Sequence, residues 1–150
     1  MTSKPLPPGW PRISSALFYD DAPGAIDWLC KAFGFRVRLK VESAPGRIEH
    51  SELELDGGLI MVATLGGRGR TWPVSPPSVG GGNTQALFVY VDDVDEHCRH
   101  AREHGAVIVN EPQTNDYGEE YWVDRTYCCR DPGGHHWWFG ERIRSAAPKK

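Results

Sequence analysis

Asp20-Asp21-Ala22-Pro23-Gly24-Ala25-Ile26-Asp27-Trp28-Leu29-Cys30-Lys31-Ala32-Phe33-Gly34 reads as one helix with both of its ends written into the chain. Either aspartate can cap the first turn, where Pro23 is tolerated because no amide donor is needed there. Ile26, Leu29, Cys30 and Phe33 recur at i, i+3, i+4 and i+7, an apolar face of helical period. Gly34 suits a left-handed cap. Before this helix, residues 12–19 (Arg-Ile-Ser-Ser-Ala-Leu-Phe-Tyr) read as a strand. After it come a strand near 35–42 and another over 47–55, in which Leu53 and Leu55 alternate with His50, Glu52 and Glu54. Asp56-Gly57-Gly58 then turns a tight hairpin into residues 59–64.

The same plan returns downstream. Residues 86–91 read as a strand, Asp92-Asp93 as a cap, and Val94, Cys98 and Ala101 as an apolar stripe that Gly105 ends. A strand over 106–110, a polar loop, and a strand over 125–130 follow. Asp131-Pro132-Gly133-Gly134 then turns into a last strand, 135–140. Asp21 and Gly34 stand thirteen residues apart, as do Asp92 and Gly105. Recurrence of element order, caps and Gly-Gly hairpins predicts a duplicated α+β chain of two tandem βαβββ modules. Module one covers about 12–65 and module two about 85–141. Between them, 66–84 is rich in Gly, Pro and Ser. It is either a plain linker or a loop that lids a binding cleft, the second because Trp72 needs an apolar surface to cover.

Composition narrows the function. A chain of 150 residues can bury a core as one domain without staples. Its net charge is −3, and its one basic run is the tail Pro148-Lys149-Lys150. No concentrated Lys/Arg surface is present for phosphates, so nucleic acid is not an expected partner. The first eleven residues hold four prolines and no apolar signal-peptide core, and no segment is long enough to cross a bilayer. The expected location is cytoplasmic, with no membrane partner. Cys30, Cys98, Cys128 and Cys129 lack CxxC spacing, and adjacent strand residues point to opposite faces. All four are expected as reduced, mostly buried thiols.

Tyr117-Gly118-Glu119, Arg125-Thr126-Tyr127 and Asp131-Pro132-Gly133-Gly134-His135-His136-Trp137 together resemble the closing hairpin of vicinal oxygen chelate proteins. Ala25-Ile26-Asp27-Trp28-Leu29 leading to Phe33-Gly34-Phe35 is similar to that family's opening helix. His50-Ser51-Glu52-Leu53 before Asp56-Gly57-Gly58-Leu59-Ile60-Met61 is similar to its glyoxalase and bleomycin-resistance branch. The resemblance runs from about Arg12 to Glu141. It implies two βαβββ modules forming a curled mixed sheet around a cleft, and pairing of chains as a homodimer. The superfamily includes extradiol dioxygenases and other enzymes that hold a divalent metal in the cleft and bind substrate through two neighbouring oxygens. Their metal ligands fall near the start of the first strand and within the last strand of each module. Matched residue by residue, those places hold Ser14, Met61, Ala86 and Trp138. None is a donor that a hard divalent cation selects. No metal and no cofactor is therefore expected.

Strand alternation gives the cleft lining. Ser14 shares a face with Ala16 and Phe18, Ala86 with Phe88 and Tyr90, and His136 with Trp138. His135, Trp137 and Phe139 then face the helix. Leu53 and Leu55 pack on the first helix and leave His50, Glu52 and Glu54 opposite. The expected ligand-binding residues are Ser14, Phe18, His50, Glu52, Met61, Trp72, Phe88, Tyr90, His136 and Trp138. An aromatic row on a sheet can equally be core. His50 and Glu52, two apart on a strand, are the candidate acid–base pair, or else a structural ion pair. Arg125, Tyr127 and Cys129 share one face, the cleft's or the hairpin's own packing. His100 and His104, one turn apart beside His97, could hold zinc, yet no HExxH arrangement accompanies them.

The reading these residues support is metal-independent binding of a small aromatic or amphipathic molecule, of sequestration or resistance type. The acidic rim of Glu52 and Glu54 would favour a cationic ligand. The alternative is a lyase, isomerase or dioxygenase acting through His50/Glu52 or an off-pattern metal. A third is a regulatory module without a ligand.

Overall fold

Both helices start at the second aspartate of their pair. A computed structural model describes residues 4–66 and 83–148 of the chain. In it α1 (Ala22–Phe33) is capped by Asp21, whose carboxylate accepts from the Gly24 amide at 3.0 Å. α2 (Val94–Glu103) is capped by Asp93, which accepts from the Glu96 amide at 3.1 Å. Gly34 takes a left-handed φ of 83° and returns its amide to the Cys30 carbonyl. α2 ends one residue earlier than its glycine, on His104, and Gly105 then takes the positive φ. A cap from outside the helix supports α2 as well: the Glu141 carboxylate accepts from the Val94 amide at 2.9 Å.

Each helix follows the first strand of a four-stranded mixed sheet. In the unit Met1–Trp72, β1 (Ser15–Tyr19) lies parallel to β4 (Gly58–Thr64). β3 (Arg47–Leu55) pairs antiparallel with β4 and with the edge strand β2 (Arg36–Ala44), giving the order β1-β4-β3-β2. The unit Pro73–Lys150 repeats this order with β5 (Ala86–Tyr90), β8 (His136–Arg144), β7 (Val123–Arg130) and β6 (Val107–Asp116), as β5-β8-β7-β6. The class is α+β, and both βαβββ modules are present. Most of the segment between them, with Trp72, lies outside the described residues.

One face of each sheet is covered by its helix. α1 buries Ala22, Ala25, Ile26, Leu29, Ala32 and Phe33, and the sheet supplies Leu17, Tyr19, Leu53, Ile60 and Val62. α2 buries only Val94, Cys98 and Ala101, so aromatic bulk from the sheet fills the second core. Tyr127, Trp137 and Phe139 are fully buried, and the His97 ring lies 4.1 Å from that of Phe139.

Two strands outrun their sequence signals. β6 continues to Asp116 through the stretch expected as a polar loop, because an edge strand needs no apolar face. Register shifts around Asn110 and Gln113 take up Pro112, as edge strands allow. β8 does not stop at Gly140 but runs on to Arg144, which adds Glu141 to one face and Arg142 and Arg144 to the other.

The turn into β8 is held by a single carboxylate. Asp131, 4% exposed, accepts from the Gly133 and His135 amides at 2.9 and 3.0 Å through Oδ1. Its Oδ2 accepts from the buried Trp137 indole at 2.9 Å. Removing it strands a buried donor as well as the turn amides. We predict that Asp131→Ala lowers stability by about 2–4 kcal/mol. Asp131→Asn, which keeps the turn acceptor but aims an amide at the indole, should lose a smaller part. Equilibrium urea unfolding measures both; an alanine variant within about 0.5 kcal/mol of wild type contradicts this role.

Candidate functional site

Alternation leaves one face of each sheet turned away from its helix. On the first sheet, Ala16, Met61, Glu52 and Leu39 stand side by side across four strands. Phe18 lies two residues along β1 and His50 two residues back along β3. Ser14, just before β1, donates to the Leu59 carbonyl at 2.6 Å. The structure thus brings Phe18, Met61, His50 and Glu52 to one face, with Ser14 tied to backbone at its edge.

Glu52 is 6% exposed and is kept there by partners. Its Oε2 shares a hydrogen bond of 2.8 Å with His50 Nε2, and its Oε1 lies 3.4 Å from Arg38 Nε. Arg38 donates its two remaining nitrogens to the carbonyls of Pro8 and Gly9, each at 2.8 Å, beside the Trp10 ring. A carboxylate buried with a guanidinium avoids most of the desolvation penalty of a lone charge. Glu54 is likewise held, by Arg36 Nε at 2.9 Å. The acidic rim expected from Glu52 and Glu54 is therefore neutralised, because β2 places Arg36 opposite Glu54 and Arg38, at the register shift between Val37 and Leu39, within reach of Glu52. The ground for preferring a cation falls with it.

The second sheet is built differently. Phe88, Trp138 and Cys128 form one row, and Tyr90, Gly140 and Thr126 the next. Phe88 and Tyr90 are 50% and 53% exposed, with ring centroids 5.0 Å apart. Gly140 makes room for this surface. A Cβ there would stand 2.6 Å from Phe88 Cζ, so the ring lies directly over the glycine. The third row pairs Asp124 with Arg142. Buried Asp124 accepts from Arg142 Nε at 2.5 Å and from the Tyr90 hydroxyl at 3.0 Å, while Arg142 Nη2 also donates to Tyr90 Oη. The Arg142 guanidinium lies over the rings of both Tyr90 and Trp122, at 5.3 and 5.0 Å. His136 sits at the other end, its Nδ1 3.9 Å from Cys128 Sγ.

Phe88, Tyr90, His136 and Trp138 thus share one face, as alternation requires. Arg125 and Tyr127 do not join them. Tyr127 pairs with Phe139 on the helix side, where its hydroxyl meets His97 Nδ1 at 2.7 Å, and Arg125 pairs with Asp95 of α2. Trp122, Asp124 and Arg142 are the residues that sequence reading passed over. Carrying the alternation of the last strand past Gly140 would have reached Arg142; Asp124 and Trp122 needed the strand pairing.

The positions that correspond to the family's metal ligands offer a hydroxyl already bonded to backbone, a thioether, a methyl group and an indole. Those donors do not fit a divalent cation. Among the described residues no group of three or more His, Cys, Asp or Glu side chains is placed to hold a metal. His100 and His104 do stack on α2, 4.3 Å apart, and His104 Nδ1 is bonded to the His100 carbonyl.

Two βαβββ modules, each with a helix on one side of a mixed sheet and an open opposite face, define the class of protein. Residues 12–139 match the family model of the Glyoxalase/Bleomycin resistance protein/Dioxygenase superfamily, and the chain belongs to that superfamily. It is 31% identical over 139 residues to an uncharacterized protein of Mycobacterium bovis, covering 89% of this chain and 85% of that one. Among solved structures it is similar to TioX from Micromonospora sp. ML1, at 33% identity and a TM-score of 0.70, covering 89% of this chain and all of that one. A lactoylglutathione lyase from Agrobacterium tumefaciens, at 20% identity and a TM-score of 0.58, covers 90% of this chain and 96% of its own; it shares the fold. Among the described residues no helix is long and apolar enough to cross a membrane.

The cysteines supply no ready nucleophile. All four are free thiols, with Cys98, Cys128 and Cys129 buried and Cys30 half-buried. Burial raises the pKa of each, and for Cys129 burial and its thiol neighbours push it up to about 12. A group with that pKa is about one part in ten thousand thiolate at pH 8, and the thiolate is the reactive species. We expect native protein at pH 8 to react with Ellman's reagent slowly, Cys30 first, and to release four equivalents only on unfolding. Fast reaction at Cys128 or Cys129 in the native state would overturn their assignment as inert.

Proposed function

We propose that this protein binds a small planar aromatic molecule, without a metal, on the open face of its second sheet. The observation that carries the reading is the row of Phe88, Tyr90 and Trp138 on the face turned away from α2. Two of these rings are about half exposed, while the neighbouring Trp137 and Phe139 are buried completely. A contiguous aromatic surface left open to solvent marks a binding site more often than an idle face. The polar groups nearby, Asp124 and Arg142, are paired to each other and fix orientation without a large net charge. Membership of a superfamily whose description includes bleomycin resistance supports a sequestration role.

The second reading is proton transfer at the first sheet. It is favoured by one observation, the 2.8 Å contact between His50 and Glu52, with Arg38 holding the carboxylate from its other oxygen. Glu52 would keep the imidazole in one orientation, as a general base requires.

One experiment weighs both. Calorimetric titration of neutral aromatics, aromatic cations, acetate and phosphate should show binding confined to the aromatics, weakened about tenfold or more by Trp138→Ala. The bound compound should be recovered unchanged. Preference for acetate or phosphate, or undiminished affinity in Trp138→Ala, would contradict the first reading. A converted product that disappears in His50→Asn would establish the second.

A further inference from the structure

Arg142, paired with Asp124 beside the aromatic row, has hydrogen-bonding capacity left over among the described residues. Its Nε is used by Asp124 and its Nη2 by Tyr90, whereas Nη1 has no partner among the described residues. The guanidinium lies over two rings, Tyr90 and Trp122, at cation–π distance. Asp124, buried and doubly bonded, holds it from below. A long side chain normally loses rotamer freedom when it binds a ligand; here that freedom is already lost.

Spacing sets what such a donor can reach. Trp138, Gly140 and Arg142 occupy successive same-face positions on β8. Four residues of strand put Arg142 about 13 Å from Trp138, with Phe88 and Tyr90 paving the interval above Gly140. That length fits an aromatic plane of about two to three fused rings with a polar atom at one end. Because Asp124 balances the arginine, the end group needs lone pairs more than charge.

We propose that Arg142 Nη1 is the polar anchor of this site, and that its ligand is a planar fused-ring aromatic carrying an oxygen acceptor, a carbonyl or carboxylate, at one end. The inference rests on the aromatic binding face proposed above and adds the acceptor group that would distinguish ligands on it.

The test uses three probes of one shape, 2-methylnaphthalene, naphthalene-2-carboxamide and 2-naphthoate, titrated calorimetrically in low cosolvent into the whole chain. Wild type should bind both the carboxamide and the carboxylate about tenfold or more tighter than the methyl compound, the scale of one hydrogen bond to a charged donor. In Arg142→Lys, which keeps the charge opposite Asp124 but not the planar fork, that ratio should fall towards one. The double variant Asp124→Asn/Arg142→Met removes both charges and leaves no lone buried carboxylate; it should lose the ratio too. Circular dichroism and the melting temperature establish that each variant is folded, and the ratio is read within each protein. Equal binding of all three probes by wild type, or a ratio that survives both variants, overturns the role of Arg142 and leaves the aromatic site standing. Failure of all three probes to bind overturns both.

Discussion

Trp137 and Trp138 are neighbours in sequence, and the period-two geometry of β8 sends them to opposite sides of one sheet. Trp137 is fully buried under α2 with its indole nitrogen on Asp131; Trp138 stands on the open face beside Phe88. Everything proposed for the second module depends on that separation. It fixes Phe139 with Trp137 in the core, and Gly140 and Arg142 with Trp138 outside. Slipping the strand by one residue would exchange the two sets and place an arginine under the helix. The Asp131 turn, which starts the strand by holding both turn amides and the Trp137 indole, is the device that sets the register.

The two modules share a plan and differ in what they show to solvent. The first sheet has a polar centre on its open face: Glu52 between His50 and Arg38, with Arg38 reaching on to the carbonyls of Pro8 and Gly9. The second has an aromatic one. The modules thus share element order, strand order and aspartate caps, while the filling of their cores and the make-up of their opposite faces differ. Membership of the superfamily rests on the family-model match over residues 12–139, whereas the function has to come from the faces.

Much of this was legible in the sequence because it is local. Asp21, Asp93 and Gly34 act within one turn of themselves, and the Asp-Gly-Gly hairpins within a few residues. Alternation along each strand placed Phe88 with Tyr90 and His136 with Trp138. What depended on pairing between strands was out of reach. The neutralisation of Glu52 and Glu54 needed Arg38 and Arg36 of the neighbouring strand β2. The facing of Tyr127 was settled only by its partner Phe139, and that of Arg125 by the ion pair with Asp95. Asp124 and Arg142 are eighteen residues apart and join through the β7–β8 register, which no single-strand pattern encodes. A polar stretch such as 111–116 read as loop because an edge strand carries no apolar signature.

In the binding mode proposed above, ligand meets the open aromatic face of the second sheet. Indole N–H resonances in a two-dimensional ¹⁵N–¹H spectrum report on it directly, since the six tryptophans of the chain are chemically alike and differently placed. With signals assigned from single Trp→Phe variants, saturating naphthalene-2-carboxamide should shift Trp138 and Trp122. Trp137, sealed in the core on Asp131, should stay where it is. Movement confined to Trp10 and Trp28, with Trp138 and Trp122 unperturbed at saturation, would contradict the account.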